Sequence, residues 1–445
     1  MKKSKIFMSL LLSMMLLLTA CGSQTTKTPA KEEQTAKPAE KQTEKTEEPK
    51  KEEPKKEEPK KETQTGTAKV KIRFASWDDS ESLTEQQKLV DQFNQSQDAI
   101  EVVMEAYGDN YDTKIAAGMG SKDAPDVMYM WNYPAYYKGL ENLNPFIEKE
   151  GANYKNNFYE TLWEYNSMNG EVYGIPVGYT THVLYYNKDL FDKAGVAYPT
   201  DDWSWEDLKA AAKKVKEGNE GVAGFSFSRK PDPYDFEMYL WSNGAAYSNE
   251  KGELNGSIND EKSMAVFKMF QDMEKEGIAI TTEGGGTNEV LGGKVAMYIN
   301  GAWSIGRFNE AGLNYGMVKI PGFGKPSVSI LSSSGLSMSK DSANKDAAWE
   351  FIKFWTGKEM NKARLSYELP VLKDVVAEEK VTADPGKKVF FDMLEQSAGY
   401  TPSFFKIENW SEISESLELA FEEMYNESSL RAPEEAINDI ISMFP

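Results

Sequence analysis

Among its 445 residues the chain has one cysteine, Cys21, and one histidine, His182. A lone thiol excludes an intrachain disulfide and a cysteine-built zinc site. A lone imidazole leaves no choice of bases for a Ser-His-Asp set and no HExxH pair. The GxSxG elbow, the P-loop and the GxGxxG fingerprint are missing too. Gly284-Gly285-Gly286 lacks the lysine and the strand-to-helix setting of a phosphate cradle, and reads as a loop. One catalytic class stays open: a carboxylate pair of the kind that hydrolyses glycosides, because 71 acidic residues offer many pairs and sequence carries no distances. His182 reads as a hydrogen-bonded structural residue rather than a base. The expectation is a protein that is not an enzyme and has no metal site and no cofactor.

A long apolar run is also absent. The stretch from Ile6 to Leu18 is too short to cross a bilayer as a helix. It follows Lys2, Lys3 and Lys5 and ends at Leu18-Thr19-Ala20-Cys21, the layout of a secretory signal peptide over residues 1–20. A cysteine directly after Leu-Thr-Ala resembles a lipobox, where the chain is cut before the cysteine and its thiol acylated, as with palmitate. That implies a lipoprotein held by Cys21 on the extracytoplasmic face of the cell membrane, with no free thiol left for catalysis.

Residues 22–68 contain no aromatic and no large aliphatic side chain, so they cannot bury enough surface to offset their chain entropy. Glu47-Glu48-Pro49-Lys50-Lys51 recurs at 52–56 and 57–61, and the repeated prolines favour extended segments. With Cys21, this is a lipidated, disordered Lys/Glu/Pro tether over 21–68, spanning roughly 35–40 Å as a coil. Its 11 Lys and 11 Glu cancel and the signal peptide adds +3, so a whole-chain charge of −20 leaves −23 on residues 69–445. Such an acidic surface argues against nucleic acid or an anionic membrane surface as partner.

Residues 69–445 are more than one core usually serves, which predicts two domains. Val70, Ile72 and Phe74 alternate with polar residues as a strand, and a helix is predicted to start at Thr84-Glu85-Gln86-Gln87, with Leu83, Val90 and Phe93 inward. Ile100 to Met104, Asp126 to Met130, Val183 to Tyr186 and Val295 to Ile299 read as strands, and Met119 to Asp123 as a loop. Helices are predicted from Ser204, around Met264 to Met273, and over Asp341 to Trp355 with Gly357 past its end. Strands alternating with helices imply α/β layering on mostly parallel sheets.

Tryptophans recur beside polar residues at strand ends, where α/β sheets open a ligand crevice. Trp77 precedes Asp78 and Asp79, Trp131 precedes Asn132, Trp303 follows Asn300-Gly301-Ala302, and Trp410 follows Asn409. An indole face can pack on the apolar face of a sugar while carboxylates and amides take its hydroxyls. Trp349 and Trp355, at helical spacing, belong to the core.

The order of several blocks resembles a known family. Ala124-Pro125-Asp126-Val127 with Trp131 and Leu143 comes first, then Gly174-Ile175-Pro176-Val177, then the run from Leu184 to Gly195 (LYYNKDLFDKAG). Pro199 with Trp203-Ser204-Trp205-Glu206-Asp207-Leu208, the run from Gly293 to Trp303 (GKVAMYINGAW) and Leu369-Pro370 complete the set. Together they look like the extracellular solute-binding proteins, family 1, of sugar ABC importers. The resemblance implies a two-lobe α/β, periplasmic-binding-protein-like (Venus flytrap) fold with a multi-segment hinge. Lobe one would be 69–178 plus 329–369 and lobe two 179–326 plus 370–445, with crossings near 177–179, 321–328 and 369–371. By motif position, Trp77, Asp78, Asp79, Trp131, Asn132, Tyr179, Trp303 and Trp410 would contact sugar, and Tyr234, Asp235 and Trp241 would add second-lobe contacts. Tyr179 stands where the maltose-binding branch has an acid, so the ligand need not be maltose. The implied function is a monomeric, lipid-anchored carbohydrate receptor delivering a sugar or oligosaccharide to ABC permease subunits. The alternatives are a surface glycoside hydrolase or lyase, or a binding protein for a peptide or metal.

Overall fold

The computed structural model describes residues 69–445 except Asp79; the expected signal peptide, Cys21 and the tether lie outside the described residues. Its strands are β1 (Val70–Ser76), β2 (Ile100–Ala106), β3 (Val127–Met130), β4 (Ser167–Met168), β5 (Glu171–Val172), β6 (Ile175–Thr181), β7 (Val183–Asn187), β8 (Phe225–Ser228), β9 (Ala279–Thr282), β10 (Met297–Asn300), β11 (Tyr315–Val318) and β12 (Leu331–Met338). β4 and β5 form a short hairpin. The rest build two five-stranded sheets, ordered β2-β1-β3-β12-β6 and β11-β7-β10-β8-β9. Helices cover both sheets, giving two α/β lobes.

The sheets are mixed rather than mostly parallel. β1 runs parallel to β2 and β3, while β12 is antiparallel to β3 and β6. In the second sheet β8 is parallel to β9 and β10, and β7 is antiparallel to β10 and β11. The antiparallel pairings involve the strands through which the chain changes sheet. β6 hands over to β7 through His182 alone, and β12 receives the chain coming back from β11. A strand entering from the other lobe is not bound to the βαβ crossover that keeps neighbours parallel. β6 and β7 are buried along their whole length, as strands running between two cores must be. Pro176 cannot donate to the ladder, and opposite it the β6–β12 register shifts between Ser334 and Gly335.

Each lobe has its own aromatic core. In the first, helix Lys345–Thr356 lays Trp349, Phe351, Ile352 and Trp355 inward, and Phe74 meets Phe351 and Trp355 at 5.1 and 5.0 Å between ring centroids. The Trp355 indole donates to the Tyr129 hydroxyl at 2.9 Å. In the second, helix Trp205–Gly218 opens with a Ser204–Asp207 capping box, and buried Trp205 packs on Phe225, Tyr239 and Phe270.

Some boundaries differ from expectation. The first helix spans Ser80–Ser96, so Thr84 falls one turn inside it. The expected loop at 119–123 is largely the end of helix Tyr111–Ser121, closed by Lys122 in the left-handed region. Two glycines weaken that pattern, but buried Tyr111 and Ile115 fix the helix to the core, with the Tyr111 hydroxyl donating to the Tyr129 carbonyl at 2.6 Å. Pairing of β6 with β12 continues to Thr181, so the chain leaves the first sheet at His182 rather than at 177–179. Hydroxyls tie the crossing segments together. The His182 N–H donates to Ser329 Oγ at 2.7 Å, the Ser329 N–H to Ser397 Oγ at 2.8 Å, and Thr181 Oγ1 to the Phe390 carbonyl at 3.0 Å. Helix Pro385–Gln396, which carries Phe390, packs on β6, β7 and β11 and so touches both sheets.

Candidate ligand-binding cleft

A cavity of about 740 Å³ opens between the ends of the two sheets. Its walls follow from strand direction. On the first-sheet side, Trp77 follows β1, Asp109 and Asp112 follow β2, and Trp131 follows β3. On the second-sheet side, Asp232, Tyr234 and Asp235 follow β8, and Ala302 and Trp303 follow β10. The crossing strands supply Tyr179, Thr180 and Ser332 to Ser334, and the segment after helix Lys358–Ala363 supplies Tyr367 and Glu368.

Six of the residues expected from sequence therefore line one cavity: Trp77, Trp131, Tyr179, Tyr234, Asp235 and Trp303. Trp77 is stacked on Tyr129 at 4.7 Å and meets Tyr111 edge-on at 5.3 Å. Trp131 is 39% exposed and lies parallel to Phe404 at 6.1 Å, an aromatic contact from the first sheet to helix Ser403–Lys406. Tyr179 is buried edge-on to Phe391, and its hydroxyl has no partner. The Tyr234 hydroxyl donates to the Leu331 carbonyl at 2.5 Å. Trp303 is 53% exposed and touches His182 edge-on at 5.5 Å. Its ring folds back over Gly301, where a Cβ would stand 2.6 Å from the indole, so a side chain at 301 would displace it.

The other expected residues stand elsewhere. Asp78 turns into its own loop: its N–H donates to Ser76 Oγ at 3.1 Å and its carboxylate takes the Gln86 amide. Asn132 caps helix Tyr133–Tyr136, accepting from the Ala135 N–H at 3.1 Å. Trp241 is buried in helix Pro233–Ser242, beside Tyr400 and a separate surface pocket. Trp410 is buried against Tyr247 at the start of helix Trp410–Tyr425. Burial removes both indoles from the cavity wall. Asp79 lies outside the described residues.

Sequence reasoning missed Asp109, Tyr111 and Asp112, although the strand-end rule that singled out Trp77 and Trp131 applies equally after β2. It had no signal for Tyr165, at the end of helix Glu160–Tyr165, or for Tyr367 and Glu368, in the turn after helix Lys358–Ala363, all distant in sequence from the strand ends. Glu368 is braced from behind. Buried Arg364 donates through Nε to Glu368 Oε2 at 2.8 Å and through Nη1 to the Trp355 carbonyl at 3.0 Å. A Cβ on Gly178 would come within 2.7 Å of the Glu368 carboxylate, so glycine makes room for it.

The cavity is acidic. Asp109, Asp112, Asp232, Asp235 and Glu368 line it, and no lysine, arginine or histidine does among the described residues. Burial pushes Asp235 up to about 7, and burial with the nearby Asp235 pushes Asp232 up to about 6. Burial also raises Asp112 and Glu368, the latter against the pull of Arg364. Behind Asp235, burial lowers His182 to about 4. His182 is thus neutral at pH 7, and its 3.7 Å approach to Asp235 supplies no counter-charge. No three His, Asp or Glu side chains converge as metal ligands among the described residues.

Two α/β lobes joined by crossing strands, with a polar and aromatic cavity between them, define a two-lobe solute-binding protein. The chain belongs to the bacterial extracellular solute-binding proteins, whose family profile matches residues 88–389. These are binding proteins, not enzymes, and they act outside the cytoplasm. Among its relatives, the arabinooligosaccharide-binding protein of Bacillus subtilis is 28% identical over 222 residues, 47% of this chain and 49% of that one. The sn-glycerol-3-phosphate-binding periplasmic protein of Brucella abortus is 25% identical over 252 residues, 53% of this chain and 58% of that one. The fold matches the ABC substrate-binding protein of Listeria monocytogenes solved with cycloalternan, with a TM-score of 0.72 and 24% identity, over 84% of this chain and 98% of that one.

Proposed function

We propose that the protein is a lipid-anchored carbohydrate receptor that delivers a sugar or oligosaccharide to the permease of an ABC importer. The observation that carries this reading is the wall chemistry of the cleft. Exposed and half-exposed indoles offer flat apolar faces, and carboxylates and serine hydroxyls offer acceptors around them. A sugar presents C–H faces to the rings and hydroxyl donors to the carboxylates. A phosphoester would meet five carboxylates and no lining cation among the described residues. Of the two ligand classes named for the relatives, the wall therefore favours the saccharide.

Both sheets contribute to the cavity, so a ligand filling it has more contacts when the lobes close. It favours the closed state by that difference in affinity. The closed form is the one that would dock on the permease. The lipid anchor rests on the Leu18-Thr19-Ala20-Cys21 motif, and the tether would hold the receptor clear of the membrane.

A thermal-shift screen of the mature chain tests the reading. A ligand at 100 times its Kd adds about 2.7 kcal/mol of stability, which is visible against a total of about 5–15 kcal/mol. One class of mono- or oligosaccharide should raise the melting temperature. A shift from glycerol phosphates, peptides or metal ions with none from sugars would refute the carbohydrate assignment.

A further inference from the structure

We propose that the second-sheet wall of the cleft receives a protonated amine, which makes the ligand an amine-bearing saccharide; this rests on the carbohydrate reading above. Asp232 and Asp235 lie one turn apart at the start of helix Pro233–Ser242, and both line the main cavity and a 280 Å³ side chamber behind it. The Asp235 side chain is 37% exposed, and exposed Asp232 caps its helix by accepting the Tyr234 N–H on Oδ1 at 2.8 Å, which leaves its Oδ2 for a ligand. Trp303, 53% exposed, lines the same cavity. A bare indole beside two carboxylates is how proteins hold ammonium groups, since the ring face and the acids attract the same positive charge.

Among the described residues no lysine or arginine pairs with either acid. Lys230, which lines the side chamber, is held by Glu418 at 2.7 Å. Arg364 is committed to Glu368 across the cleft, and His182 is neutral. Glu237, on the same helix, faces away and accepts from the Ser403 N–H at 2.8 Å and the Ser403 hydroxyl at 2.6 Å. Buried His182 lines the side chamber; its Nδ1 is without a partner, and its Nε2 stands 3.7 Å from Asp235. With the proton on Nε2, Nδ1 is an acceptor awaiting a donor. An ammonium brings three donors and no acceptor, which matches two carboxylates. Closure over a neutral sugar would compensate the desolvated carboxylates by hydroxyl hydrogen bonds alone, whereas an ammonium adds an opposite charge.

Calorimetric titration of the full mature chain provides the test. The probes are glucosamine, galactosamine and glucosamine di- to tetrasaccharides, each against its N-acetylated form and the plain hydroxyl sugar of the same size. The expected result is that an amine form binds about tenfold or more tightly than both counterparts. Asp235→Asn should erase that preference, costing the amine form about tenfold more affinity than it costs the hydroxyl sugar. Asp232→Asn provides the same comparison if urea unfolding finds D235N unstable. Equal or weaker binding of every amine form overturns the inference and leaves the carbohydrate reading standing. A preference that survives both substitutions overturns the assignment to this wall. Binding of no saccharide at all overturns both readings.

Discussion

The two walls of the cleft are built on opposite terms. On the first-sheet side the binding groups are braced before any ligand arrives. Trp77 is held between Tyr129 and Tyr111, and Glu368 is fixed by Arg364. On the second-sheet side Trp303 stands half free, and among the described residues no lysine or arginine pairs with Asp232 or Asp235. A braced wall commits its groups during folding, so damage to it costs stability as well as affinity. A freer side chain such as Trp303 keeps more of its interactions for the ligand, so its loss costs mainly affinity.

The largest effect is expected from breaking the brace. Arg364→Met leaves the Glu368 carboxylate without its buried partner and should cost about 3–5 kcal/mol of folding stability, read from urea unfolding without ligand. Unchanged unfolding would mean that the first wall is not braced by this pair. On the open wall, Trp303→Ala should weaken ligand binding by about 2–4 kcal/mol, or roughly 30- to 800-fold in Kd, with near-normal unfolding. A folding loss of similar size would make Trp303 a core residue and abolish the contrast. Trp77→Ala should sharpen it, by lowering both affinity and the unfolding midpoint, each by about 1–3 kcal/mol.

A smaller effect separates the lobes by pH. Burial raises Glu237 from 4.5 to about 7, and Asp235 and Asp232 from 3.8 to about 7 and about 6. The native state therefore holds protons that the unfolded chain has released. The stability these groups add is complete below about pH 4 and is lost as pH rises through about 6 to 7. His182, lowered from 6.5 to about 4, works in the opposite sense over that window, one group against three. Thermal melts of the ligand-free chain should show this decline, and Glu237→Gln should flatten it; a slope unchanged by the substitution would remove Glu237 as a contributor. The smallest effect on binding is expected from Cys21→Ser, a change in the expected lipidation motif. It should release the protein from membranes with sugar affinity unchanged. Detergent-requiring membrane retention of the variant would contradict the anchor.

Much of the fold was legible because its signals are local. Alternation marked β1, the Ser204–Asp207 capping box marked the start of its helix, and a 3.6-residue apolar period marked Lys345–Thr356. The mixed strand directions were not, because they depend on which sheet a strand joins after the chain crosses between lobes. The cleft divides the same way. Trp77, Trp131 and Trp303 could be picked out because a strand end with an aromatic beside polar residues is visible in sequence. Trp410 was picked out by its polar neighbour and Trp241 by its place in the family resemblance, and both are buried, since only packing decides which face of a helix is covered.

The sequence by itself determined the acidity of the folded part and the order of blocks that marks the family. Each is a matter of composition or of residues adjacent in the chain. Tertiary structure alone decided that Glu368 and Tyr367 share a cavity with Trp77, and that Arg364 stands behind Glu368 rather than facing the ligand. It also decided that, among the described residues, no lysine or arginine pairs with Asp232 or Asp235. Those relations are distances between segments far apart in sequence, and the field at a carboxylate depends on its neighbours in space.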